Sequence, residues 1–321
     1  MTENRTQRVV IAGVDGSEDG LRATKFAAGS AKARSADLLI IHAVDDNGVA
    51  GAWGFAYDRK ALEEVGQAIV EDAIKVALEQ GLDKERIHGE VIVGNPAALL
   101  ADRSEKAELI VVGRRATSGL ERMFVGSTSV AIAGMASCPV IVISQAATPH
   151  PVGDKHKVAI AVGPQTSNTK TLTFACEQAK RYDAELEVVT VTPPLPAGAT
   201  GGYKLTDESM ERMISELDQR LAEIADPVVS SYPEVSCHRR VLTGQPVDEL
   251  VSLSETVDQL IIGVNKHPLL GWTAGGVARG IMAHAKCPLG DRSLMKRWWR
   301  CVTVGSAPPP RRHPRSAYGR H

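Results

Sequence analysis

LIVVGRRATSGLERMFVGSTSVAIAGMASCPVIVI, from Leu109 to Ile143, decides the fold. Its two ends are uninterrupted aliphatic runs, the pattern of strands buried on both faces of a sheet. Between them lies a piece rich in glycine, arginine and hydroxyls. It opens at Gly113 and closes at Gly126-Ser127-Thr128-Ser129, where a helix is predicted to begin. A strand, a glycine-bounded loop and a helix in that order gather backbone N–H groups and small hydroxyls at a helix start, which suits an anion such as phosphate.

Outward from this stretch, the chain repeats itself. RVVIAGVDGSEDG at Arg8 is answered by KVAIAVGPQTSNT at Lys157, and GNPAALLAD at Gly94 by GQPVDELVS at Gly244. LIVVG at Leu109 pairs with LIIGV near Leu260, and ASCPV at Ala136 with AKCPL at Ala285. The offset between copies stays within 149 to 151, the mark of a tandem duplication. Residues 1–145 form the first copy, 146–156 a Pro/Gly/His linker, 157–289 the second copy and 290–321 a basic tail.

In the first copy VVIAGV reads as a strand, Asp15-Gly16-Ser17 as a turn, and Ser17 or Asp19 as the cap of a helix reaching about Arg34. ADLLIIHAV is the second strand, and a long helix spans roughly Lys60 to Gln80. GEVIV, the loop Gly94-Asn95-Pro96, a short helix, LIVVG, a helix from Gly126 and PVIVI complete the unit. Five strands alternating with four helices predict an α/β fold: two tandem doubly wound domains, each a five-stranded parallel sheet with helices on both faces. In such sheets ligands bind at the carboxyl ends of strands where strand order reverses. The loops at Asp15 and Gly113 should therefore face one another.

The chain has 321 residues, 43% hydrophobic and 23% charged, which fits two soluble globular domains. Aromatics are only 4%, so the cores must be aliphatic. No apolar run approaches the roughly 20 residues of a membrane span, and MTENRTQRVV has no secretory h-region. Five scattered cysteines without CxxC spacing fit a reducing cytoplasm, the expected location, better than a disulfide framework or a zinc site. No Ser-His-Asp set or metal-ligand cluster points to vigorous catalysis. His42, Cys138 and Cys287 read as structural.

The pattern G-x-x-G-x9-G-[S/T] after the fourth strand, with V-D-G-S after the first, resembles the ATP-binding branch of the universal stress protein family. Gly113, Ala116, Gly126 and Ser127 fill its positions, and the doubled frame is similar to actinobacterial tandem stress proteins. The resemblance implies an adenine nucleotide, ATP, with Mg2+ as its counter-ion. It places Gly13, Val14, Asp15, Gly16 and Ser17 on the adenine and ribose side, and the backbone of Ala43 and Val44 at the adenine edge. Gly113, Arg114, Arg115 and Ala116 would surround the triphosphate together with Gly126, Ser127, Thr128 and Ser129. It also implies a homodimer paired through the fifth strand. Ala116 departs from the family glycine, and at a positive φ its Cβ would cost on the order of 1 kcal/mol.

The second copy reads as degenerate. Pro164 stands at the position of Asp15, Lys266 at the second glycine, and Val277 in place of the hydroxyl. After Cys287-Pro288-Leu289 the composition switches to Arg, Trp, Pro and Ser, so this copy is expected to lack a regular last strand. From Asp291 to His321 the chain carries eight Lys/Arg against one acid. Two readings of this tail stay open: a segment for binding, including nucleic acid through Trp298 and Trp299, or the product of a shifted reading frame. The functional expectation is a nucleotide-dependent regulator in a stress response, with no membrane partner and slow ATP hydrolysis at most. The alternatives are a nucleotide-free scaffold and an enzyme of the adenine nucleotide α-hydrolase type. The first-strand loop G-V-D-G-S-E-D lacks the S-G-G-x-D-S signature of that enzyme class.

Overall fold

A strand that is aliphatic on both faces needs cover on both, and the sequence supplies that cover as helices. The computed structural model describes residues 8–45, 59–114, 126–144, 156–163, 169–194, 206–263 and 276–291. In the first repeat β1 (Val9–Val14), β2 (Asp37–Val44), β3 (Ile87–Val93), β4 (Leu109–Gly113) and β5 (Val140–Ile143) alternate with α1 (Glu18–Arg34), α2 (Arg59–Glu79), α3 (Pro96–Arg103) and α4 (Ser127–Met135). The second repeat has the same order. Its strands are β6 (Lys157–Ala161), β7 (Glu185–Thr192), β8 (Cys237–Thr243), β9 (Gln259–Ile262) and β10 (Leu289–Asp291). Its helices are α5 (Thr169–Arg181), α6 (Asp207–Val229), α7 (Pro246–Leu253) and α8 (Gly276–His284).

The described strands make one continuous sheet in the order β3-β2-β1-β4-β5-β10-β9-β6-β7-β8. All neighbours are parallel except β5 and β10, which run antiparallel at the centre. On one face a single core runs through both repeats, from Val10, Ala12 and Val14 to Val158, Ile160 and Val162. Helices α1 and α5 cover it with small residues: Ala23, Ala27, Ala28 and Ala31 of α1 are fully buried, so the helix backbone lies close to the sheet. The other face holds separate cores, one around Ile11, Leu100 and Ile132 and one around Leu250 and Ile281. Ala133 of α4 belongs to the second of these, so α4 packs on both repeats.

The expectation that the second copy lacks a regular last strand is corrected by β10, and residues 290 and 291 belong to it rather than to the tail. Three residues suffice because β10 is paired on both sides, antiparallel to β5 and parallel to β9. Gly290, which reads as a strand breaker, fits a crowded spot. A Cβ there would lie 3.0 Å from Gln259 Nε2 and 3.2 Å from Ile261 Cγ1. Residues 292–321 lie outside the described residues, as do the linker residues 146–155. Among the described residues no helix is long and apolar enough to cross a membrane.

The seam on the α1 side also carries a buried polar chain. Arg34 Nη2 donates to Gln178 Oε1 at 2.6 Å, and Gln178 Nε2 donates to Gln259 Oε1 at 3.0 Å. Burial lowers the pKa of the Arg34 guanidinium, and the nearby Arg181 charge lowers it further.

Leu289 is 2% exposed, so Leu289→Ala is expected to destabilise the chain by about 2–5 kcal/mol. Denaturant unfolding measures this, and a loss below 1 kcal/mol would show that β10 does not hold the seam. Burial also pushes the thiols of Cys176 and Cys287 up to about 12. Because both stay neutral in the fold and ionise near 8.5 when unfolded, their contribution is complete below that pH and is lost as pH rises toward 12. The unfolding midpoint should therefore fall above roughly pH 9, and fall less in the Cys176→Ala/Cys287→Ala variant.

Candidate functional site

At the carboxyl end of β1 the chain turns through Asp15, Gly16 and Ser17. Asp15 Oδ1 accepts from the Ser17 amide at 3.0 Å and from the Ser17 hydroxyl, whose oxygen accepts from the Gly20 amide at 3.1 Å. This relay caps α1, and Gly16 makes the turn with φ 80°. His42 supports the same strand end. Its Nδ1 lies 2.9 Å from the Val14 carbonyl, an acceptor only, so Nδ1 carries the proton.

Strand β4 ends beside this turn. Gly113 is required there: a Cβ would lie 2.7 Å from the Asp19 carbonyl carbon and 2.8 Å from the Gly20 amide nitrogen. Its carbonyl accepts from the buried Ser129 hydroxyl at 2.7 Å. The Gly126 amide donates to the Arg114 carbonyl at 2.8 Å, which draws the two ends of the intervening loop together. Helix α4 then starts at Ser127 with no side-chain cap, whereas α1 and α3 are capped by Ser17 and Asn95.

These elements line a cleft that is open to solvent. One wall is Gly13, Val14 and Asp15 of the β1 end, and the facing wall is Gly113 with Gly126 to Ser129. Ile41 and Ala43 of β2, Val112 of β4, and Pro96 and Leu100 of α3 form an apolar floor and side. The candidate residues thus divide. Gly13, Val14, Asp15, Ala43, Gly113, Gly126, Ser127, Thr128 and Ser129 line the cleft. Gly16 and Ser17 stand behind it in the turn. Val44 is buried, and its carbonyl accepts from the Gly94 amide at 2.9 Å. Arg114 is buried and turns to the second repeat, where its Nη1 donates to the Ala283 carbonyl at 2.6 Å. Arg115 and Ala116 lie outside the described residues. The apolar contributors Ile41, Pro96, Leu100 and Val112 escape sequence reasoning, although Gly94-Asn95-Pro96 marks a loop at the same end of the sheet.

The universal stress protein family model matches residues 7–144 and again 155–289. The chain belongs to the universal stress protein family. Two Mycobacterium tuberculosis relatives are similar over nearly their whole length. Universal stress protein Rv2005c is 27% identical over 301 residues, 90% of this chain and 98% of the relative. Universal stress protein Rv2623 is 25% identical over 299 residues, 90% and 97% of the two chains. The crystal structure of a universal stress protein from Archaeoglobus fulgidus shares the fold with a TM-score of 0.62 at 14% identity, covering 89% of this chain and 98% of that one.

Strand register also corrects how the two repeats of this universal stress protein correspond. Val10 pairs with Leu109 and Val158 with Gln259, while Val9 pairs with Asp37 and Lys157 with Glu185. Val162 is therefore the counterpart of Val14, and Gly163, not Pro164, takes the place of Asp15. The two aliphatic runs align equally well one residue apart by composition, and burial parity decides between them. The helices shift likewise. The Ala136 amide bonds Ile132 and the Ala285 amide bonds Ile281, which sets Gly276 at Ser127 and Ala278 at Ser129. Val277 matches Thr128 and is 44% exposed.

At Gly13 a Cβ would lie 3.0 Å from Leu100 Cδ1 and 3.1 Å from Val112 Cγ1. Its counterpart Ala161 has that methyl, packed on the core of Leu250 and Ile262. The second repeat thus lacks the carboxylate and the buried hydroxyl, and carries a methyl where the first has none.

Gly113→Ala is expected to destabilise the chain by about 1–3 kcal/mol, since backbone on α1 must move. Gly29→Ala, with nothing within 4 Å of its Cβ, should stabilise by about 0.4–1 kcal/mol. Thermal unfolding of the pair checks both signs, and equal midpoints would refute the close approach of α1 to β4.

Proposed function

We propose that this universal stress protein binds ATP in the cleft of its first repeat and uses the occupancy to regulate a partner or an assembly state in a stress response. The observation that carries the reading is the uncapped start of α4. Its first N–H groups have no acceptor within the helix, and Gly126 at the cap offers them no side-chain hydrogen bond. A polyphosphate satisfies such donors and is favoured by the positive end of the helix dipole.

The rest of the cleft matches the rest of the ligand. Ile41, Leu100 and Val112 offer an apolar slot for a flat base. The Asp15 carboxylate at the β1 end is an acceptor for ribose hydroxyls. Gly13 has no Cβ on the side of the cleft-lining Leu100 and Val112, while Gly113 and Gly126 let the loop ends approach α1 and the Arg114 carbonyl closely. Mg2+ arriving with the nucleotide would neutralise phosphate charge. The chain's own contribution is binding, orientation and exclusion of water; the reading assigns no catalytic residue. Filling of the Gly13 position by Ala161 and replacement of Ser129 by Ala278 make the second repeat a support rather than a second site.

Titration calorimetry with ATP and magnesium tests this against Ser127→Glu. Ser127 is exposed at the first turn of α4, where a carboxylate favours the helix by about 0.3–1 kcal/mol but repels phosphate. The wild type should bind one ATP per chain. The variant should lose at least about tenfold in affinity, about 1.4 kcal/mol, with no loss of thermal stability. Two sites would restore the second repeat as a binding domain. No heat and no ATP-induced rise in the unfolding midpoint would leave a nucleotide-free scaffold.

A further inference from the structure

Arg114 opens the strand-four loop, and by position it is a cation for phosphate. The fold directs it elsewhere. Its amide donates to the Ile143 carbonyl at 2.7 Å and its carbonyl accepts from the Gly126 amide at 2.8 Å, so its backbone ties β5 to the start of α4. Its side chain is 4% exposed and reaches the Ala283 carbonyl, in the last turn of α8. Carbonyls at a helix end have no intrahelical donor, and a cation there is favoured by the dipole. Ser144 Oγ adds a second donor at 3.4 Å to the Ala285 carbonyl just beyond.

One residue therefore holds two things in place. Its backbone sets the spacing between Gly113 and Gly126 at the mouth of the cleft. Its guanidinium is anchored on the second repeat, and a buried charge cannot leave its acceptor without a large penalty. We propose that Arg114 is a positioning residue through which the second repeat holds the cleft of the first in shape, so that ATP binding and the order of the α8 end are coupled. The proposal rests on the reading of that cleft as an ATP site. Coupling of this kind is reciprocal: whatever α8 contributes to ATP affinity, ATP returns to the stability of α8.

The test uses the full chain with ATP as the probe, combining calorimetry with hydrogen exchange of the amides from Gly276 to Asp291. Three proteins are compared: wild type, Arg114→Met, which fills the space without a donor, and Arg114→Lys, which keeps a cation. ATP should slow exchange in α4 and also near Ala283 and Ala285 of the wild type. R114M should bind ATP at least about fivefold more weakly, the lower end of typical coupling. At saturating ATP it should keep the protection in α4 and lose that in α8. R114K should restore part of both, which a merely space-filling role would not do.

ATP binding by the wild type with no change at α8 overturns the coupling and leaves the site reading intact. So does an R114M variant with wild-type affinity and wild-type protection. A wild type that binds no ATP overturns the site reading and the coupling together. The wild-type exchange comparison decides even where R114M fails to fold.

Discussion

The antiparallel bonding of β5 to β10 is the constraint on which the rest of the structure depends. The first repeat alone would end in the aliphatic β5 and the second in the short β10, each with an unpaired edge, a template for association with other chains. Joining the two edges inside one chain removes both and makes one sheet of two. The fifth-strand edge that would serve a homodimer is thereby occupied: β5 has β4 on one side and β10 on the other. The outer strands are β3 and β8, and β8 presents His238, Arg239 and Arg240 as exposed residues. Charged side chains on an edge discourage further pairing.

Joining the sheets in this way explains which features the repeats share. Gly94 and Gly244 have φ of 142° and 158° at the same turn. Ser104 and Ser254 each accept from an amide beyond the following helix, Ser137 and Lys286. Leu100 and Leu250 are both buried. These are scaffold features, and the seam needs both scaffolds. The pairs that differ, Asp15 with Gly163, Gly13 with Ala161 and Ser129 with Ala278, all lie at the cleft. The scaffold absorbs the differences, since Ala161 packs against the core of the second repeat and Ala278 lies within it.

Much of this was legible in the sequence. Duplication, the alternation of strands and helices, and helix starts follow from aliphatic runs and glycine spacing, and α1, predicted to end near Arg34, ends there; the joining of two sheets into one does not. The β1 end and the start of α4 were placed at the cleft by the rule of strand ends. What was hidden depends on side-chain direction or on register. Arg114 looks like a phosphate ligand until β5 and α8 show where it points. Val44 sits one residue from the cleft-lining Ala43, but alternation along a strand turns it to the other face. The mismatch at Pro164 arose because a run of Val, Ala and Ile matches itself at two registers. The short β10 was missed because its pairing partners, not its own side chains, keep it extended.

The second repeat also supports the first. A first repeat alone would leave one edge of β5 unpaired, remove the second core on which α4 packs through Ala133, and take from Arg114 the Ala283 carbonyl. All three bear on α4 or on the Arg114 backbone that leads into it. A repeat can lose its own ligand chemistry and still be required for its neighbour's, provided the contacts it keeps lie on the elements that shape the neighbour's site. In this chain they do: β10 borders β5, which fixes the Arg114 amide through Ile143, and α8 fixes the Arg114 side chain.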